Sequence, residues 1–300
     1  MKKAFLFVLV MVLLTGCANT GDKKHIGGTE KTEIVCTIFP VYDWLGNIIG
    51  ENQDRFSVNL LGGGADIHSY QPTAEDITKI QTCDLLFFVG GESDEWIREV
   101  IEGRDVYSVS LMDMVREDLK KENSKEYDEH VWLSVDMAEE IVETLADIIC
   151  RFDYEKAADY KRNAEIYEEK LERLDDEYER MAGGFLKKTV IVADRFPFLY
   201  MMDDYDIEYF AAFPGCSSDT EASFETIARL SEKVKELKKE TLIVIENSKQ
   251  NIAETIIQNS DGVAKNTVLM NSFQSVDLKN DGGYIEIMRE NLASLKKALM

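Results

Sequence analysis

Residues 154–181 read YEKAADYKRNAEIYEEKLERLDDEYERM. The stretch contains no glycine or proline, is rich in Glu, Lys, Ala and Leu, and repeats Leu171, Leu174 and Tyr178 at helical spacing. It predicts one helix of about 40 Å, ended by Gly183-Gly184. On both sides short apolar runs alternate with helical patterns. Upstream, strands are expected at 33–39, 56–61, 85–89 and 106–109, with helices at 42–49, from a Thr73 cap to about 81, at 96–101, and from a Ser134 cap to about 152. Downstream, strands are expected at 189–193, 209–213, 241–245 and 267–270, and helices at 198–205, 224–237, 252–258 and 284–299. Strand–helix alternation implies parallel sheets. The fold class is therefore α/β, with two α/β lobes joined by the long helix and a cleft between them.

The N-terminal end has a different character. Lys2 and Lys3 precede an apolar run from Ala4 to Leu14, too short to span a bilayer but suited to a signal-peptide core. Leu14-Thr15-Gly16-Cys17 looks like a bacterial lipobox, which implies lipidation of Cys17 and cleavage before it. The expected division is signal peptide 1–16, lipidated flexible tether 17–31, first lobe 32–152, connecting helix 153–183 and second lobe 184–300. His25 lies in the tether and reads as solvated. The expected location is the extracytoplasmic face of the cell membrane, held by the lipid.

A net charge of −23, from 34 basic and 57 acidic residues, offers no general patch for phosphate contacts and excludes nucleic acid as a partner. Cys36, Cys83, Cys150 and Cys216 lack CxxC spacing, and their pairing is undetermined by sequence. Neither Ser108 nor Ser217 sits in a nucleophile elbow, and there is no phosphate-binding loop.

Ligands in open α/β sheets gather beyond the carboxyl ends of strands. The polar residues expected there are His68, Asp194, Arg195, Glu246 and Asn271, with His130 just before a helix. Two histidines with one or two carboxylates suit Zn2+, or Mn2+ where oxygen donors dominate. The 62-residue gap between His68 and His130 requires the fold to bring them together; otherwise they are satisfied loop histidines.

Several motifs, in order, carry a resemblance: IFPVYD at 38–43, GADIHSYQPT at 64–73, DEHVWLS at 128–134 and MRENL at 288–292. They are similar to the zinc- and manganese-binding proteins of bacterial ABC importers, across nearly all of the chain beyond the tether. The resemblance implies a rigid connecting helix, a metal site in the cleft, and His68 and His130 as first-lobe ligands. It places Arg195, or Asp194 after a one-residue shift, at a second-lobe ligand position. A guanidinium cannot bind a cation, so Asp194 is the candidate, with a helix cap as its other reading, and Arg195 is expected to pair with a nearby carboxylate. Asn271 stands where the family often has aspartate, and Glu246 could substitute or pair with Arg195. The segment 116–127 lacks the histidines that many zinc-binding relatives carry there. The implied role is a non-enzymatic, monomeric lipoprotein that delivers zinc, or next manganese, to an ABC permease. A zinc hydrolase and a metal-indifferent adhesin are the alternatives.

Overall fold

The computed structural model describes residues 31–63, 65–121, 126–214, 222–276 and 282–300. The signal-like segment, Cys17, His25, Gly64, Cys216 and Ser217 lie outside the described residues. Among the described residues no helix is long and apolar enough to cross a membrane.

The first lobe comprises β1 (Thr32–Cys36), α1 (Phe39–Ile49), β2 (Phe56–Leu60), α2 (Ala74–Thr82), β3 (Leu85–Phe88), α3 (Ile97–Ile101), β4 (Tyr107–Ser110), α4 (Leu111–Met114) and α5 (Val135–Phe152). After α6 (Ala157–Gly183) come β5 (Thr189–Phe196), α7 (Leu199–Asp204), β6 (Glu208–Pro214), α8 (Phe224–Leu237), β7 (Thr241–Ile245), α9 (Asn251–Asn259), β8 (Asn266–Met270) and α10 (Tyr284–Leu299). The strands form two four-stranded parallel sheets, β2-β1-β3-β4 and β6-β5-β7-β8. The two-lobe α/β architecture read from the alternation is the one observed.

Local chemistry explains the element ends. Thr73 and Asp76 form a reciprocal capping box on α2, and Ser134 Oγ accepts from Met137 N–H at the start of α5. Several boundaries differ from expectation, two of them with a local physical cause. α1 starts at Phe39, before Pro40, because proline is tolerated in a helix's first turn, where its missing N–H has no partner to lose. β5 runs on to Phe196 and takes in Asp194 and Arg195, with a register irregularity between Val192 and Arg195. Asp194 therefore caps no helix: α7 is preceded by Phe198, without a side-chain cap.

The long helix begins at Ala157, after a 3-10 turn at Tyr154–Lys156. It buries Tyr160, Ala164, Tyr167, Leu171, Leu174 and Tyr178, spaced three or four residues apart, and turns its charged remainder outward. This stripe packs against α5, α1 and α10, and burying each leucine contributes roughly 1.5–3 kcal/mol. One hydrophobic core runs unbroken from Ile34 through the α6 stripe to Leu299.

The lobes are also tied near the cleft. Phe273 of the second lobe stacks between Phe39 and Tyr284, and Tyr284 meets Trp44 edge-on. Tyr284 N–H donates to Asp43 Oδ2 at 3.2 Å, and Tyr167 O–H donates to the same oxygen at 3.0 Å. Asp43 of α1 thus supplies, from the other lobe, the N-terminal cap that Gly283 cannot give α10.

Candidate metal centre

His68 lies in the loop after β2, where two bonds fix the residues beside and at the histidine. Asp66 Oδ1 accepts from His68 N–H at 3.0 Å, and Ile67 N–H donates across the cleft to Gln274 O at 3.2 Å. The second bond joins the histidine loop of one lobe to the β8–α10 connection of the other. His130 opens a 3-10 turn ahead of α5, and Asp128 Oδ1 accepts from its backbone N–H and lies 2.9 Å from its Nδ1. That carboxylate sets the proton on Nδ1 and leaves Nε2 with a lone pair.

The two imidazoles meet through Nε2, 3.2 Å apart. His130 is fully buried and the His68 side chain is 6% exposed. Burial first, and then the neighbouring His130, push the His68 pKa down to about 3, which keeps its ring neutral. Gln274 Nε2 stands 2.6 Å from His130 Nε2 and 3.1 Å from His68 Nε2. Three side-chain ends, from three loops and both lobes, thus point at one place. Glu129 is also fully buried. Its Oε2 accepts from Ser93 N–H and Ser93 Oγ, and its Oε1 lies 3.4 Å from His68 Nδ1. His68, Glu129 and His130 offer donor atoms that all lie within 4.8 Å of one another.

The other expected residues have different surroundings. Glu246 Oε1 accepts from Ser272 O–H at 2.6 Å and Gln274 N–H at 3.2 Å, and its Oε2 accepts from Ser272 N–H. Asn271 Oδ1 accepts from Phe273 N–H, while its backbone N–H and C=O bond the side chain of Asn291. Glu246, Asn271 and Asn291 together hold the turn that carries Gln274. Trp132 of the first lobe adds a bond from Nε1 to Ser272 O at 2.9 Å. Within the turn, Phe273 adopts φ +63, a strained conformation for a bulky residue. Asp194 accepts from Arg195 N–H and lines a cavity of about 280 Å3 with His68, Glu246 and Lys249. Arg195 Nη2 binds Asp66 Oδ2 at 2.6 Å, and both residues line that cavity.

Sequence reasoning passes over Gln274 and Glu129. Glu129 lies inside a motif whose signal is its histidine. Gln274 lies three residues past Asn271, beyond a strand end, where its neutral amide gives no signal of a metal site.

The fold and the convergence of histidines place the chain among two-lobed α/β solute-binding proteins, and comparison with known proteins narrows this. The profile of the family described as "ZnuA: Zinc-uptake complex component A periplasmic" matches residues 34–298, and the chain belongs to that family. It is 29% identical over 318 residues to the zinc-binding lipoprotein AdcA of Streptococcus pneumoniae serotype 4, covering 99% of this chain and 61% of that protein. The chain thus spans about 61% of the length of that relative. It is 26% identical to the high-affinity zinc uptake system protein ZnuA of Bacillus subtilis, covering 99% of this chain and 97% of that one. The crystal structure of the Zn(II)-bound ZnuA-like domain of Streptococcus pneumoniae AdcA superposes with a TM-score of 0.74 at 28% identity, over 90% of this chain and 99% of that one.

Proposed function

We propose that this protein captures a zinc ion between its lobes and passes it to an ABC permease for import, without catalysing a reaction. The observation that carries the reading is the pair of buried imidazoles whose Nε2 atoms face each other 3.2 Å apart. Two nitrogens at about 2.0–2.1 Å from one zinc ion in a tetrahedral shell stand close to that separation. Gln274 reaches the same point from the second lobe, and a half-turn of its amide presents Oε1, an acceptor, in place of the donor Nε2. In this reading Glu246 and Asn271 position Gln274, and Asp194 attracts cations from the lining of the cavity. A donor set led by two imidazoles favours zinc over manganese, which prefers an octahedral shell of oxygens. The names of the relatives agree with zinc. Lipid on Cys17 would tether the protein, as a monomer, to the extracytoplasmic membrane face beside its permease.

The test is thermal unfolding of the metal-stripped protein titrated with zinc and then manganese. Zinc at ~100 times its dissociation constant should add about 2.7 kcal/mol of stability, with a smaller gain from manganese. No saturable shift with zinc would end the reading.

A further inference from the structure

His68, His130 and Gln274 are all neutral donors. A divalent ion held by them alone would carry its whole charge into a buried site, which is costly unless an anion is at hand. Among the described residues, only three buried side-chain nitrogen or oxygen atoms lack a hydrogen-bond partner: Trp44 Nε1, Glu129 Oε1 and Gln274 Oε1. Two of the three belong to this site, and both are oxygens. A buried carboxylate oxygen without a partner costs about 1–3 kcal/mol or more.

Its neighbouring acid has a different job. Asp128 Oδ1 is already engaged by the backbone N–H and Nδ1 of His130. Glu129 uses only Oε2, on Ser93, and its Oε1 makes no such bond to His68 despite the 3.4 Å approach. The fold also makes room for this side chain. A Cβ at Gly91 would lie 2.5 Å from Glu129 Cβ, so position 91 cannot carry a side chain without displacing the glutamate.

We propose that Glu129 Oε1 is the anionic ligand of the metal. A His68–Glu129–His130 triad on the first lobe then grips the ion, and Gln274 Oε1 of the second lobe completes a four-donor shell. The proposal rests on the zinc-capture reading above and adds to it the source of the negative charge. It also divides the site unequally. Separating the lobes removes only a neutral amide oxygen, and the ion stays on the first lobe. Release then requires the His68 loop to move.

The experiment measures zinc affinity by chelator competition, and the visible spectrum of the cobalt-substituted protein, for wild type, Glu129→Gln, Glu129→Asp and Gln274→Ala. Glu129→Gln should lose more than about 100-fold in zinc affinity, beyond the 10–100-fold expected for an outer hydrogen-bond partner, and should shift the cobalt bands. Glu129→Asp keeps the charge but cannot reach both Ser93 and the metal, so it should lose at least about tenfold and shift the bands as well. Gln274→Ala should lose less than Glu129→Gln. Wild-type affinity and an unchanged cobalt spectrum in both Glu129 variants would overturn the proposal, as would a larger loss in Gln274→Ala. A wild type that binds neither metal would instead sink the capture reading on which it rests.

Discussion

Position for position, the two sheets share one strand order, β2-β1-β3-β4 in the first lobe and β6-β5-β7-β8 in the second. The loops at their carboxyl ends nevertheless differ. In the first lobe His68, Glu129 and His130 turn toward one another. In the second, Glu246 and Asn271 turn toward their own backbone, and the side chain that reaches the histidines is Gln274. A shared architecture therefore does not imply a shared division of chemistry. One lobe presents donors, and the other spends its polar groups on holding a strained turn in place.

The sharpest way to break this contrast is to remove a first-lobe histidine. His68→Ala or His130→Ala should cost at least about a thousandfold in zinc affinity, about 4 kcal/mol, and abolish the zinc-induced rise in melting temperature. The spine should matter to both lobes at once. Leu174 is fully buried in the shared core, so Leu174→Ala should cost about 2–5 kcal/mol. Calorimetry should still record a single transition, and two separated transitions would mean that the lobes are energetically independent. The second-lobe turn can be loosened from a distance: Asn291→Ala leaves the part-buried backbone groups of Asn271 without their side-chain partner. It should destabilise by about 1–3 kcal/mol and weaken zinc binding through the displacement of Gln274, both readable in one metal titration. Arg195→Ala removes a partly exposed ion pair with Asp66 and should cost at most about 1 kcal/mol, while stopped-flow chelation should detect faster zinc exchange.

The smallest effect concerns pH. Burial raises the pKa of Asp94 and of Asp204 to about 6. A raised folded-state value means that the native state binds protons more readily than the unfolded chain. The resulting stability is fully present below the ordinary carboxylate range and is lost as pH rises through about 6. The metal-free protein should therefore melt a few degrees lower at neutral pH than in mild acid, and Asp204→Asn should flatten that slope.

Much of the fold was legible because local signals agreed. Ser134 predicted the start of α5, and α8, β7 and α10 follow their apolar periodicity from end to end. The start of α1 is hidden because Pro40 looks like a helix breaker, although it sits in the helix's first turn. The end of β5 was hidden because Asp194 and Arg195 look like turn residues and occupy an irregular stretch of strand. His68 and His130 are singled out in the sequence by residue type and by the motifs around them, and the fold brings their rings together. Gln274 was not, because its approach to His68 spans 206 residues of chain, a distance no local pattern encodes, and its amide is an uncommon donor.

The docking of α10 bears on how the chain comes to be folded. Trp44, deep in the first lobe, is covered by Tyr284, and Asp43 beside it is satisfied by the amide of that same residue. During synthesis the chain would have all of β1 to β4 and still lack the ring set edge-on to Trp44 and one of the donors to Asp43. Contacts this distant in sequence form late, and the exposed apolar surface is the kind that chaperones and proteases engage. Loss of α10 would therefore leave the first lobe, 241 residues away at Asp43, vulnerable to degradation.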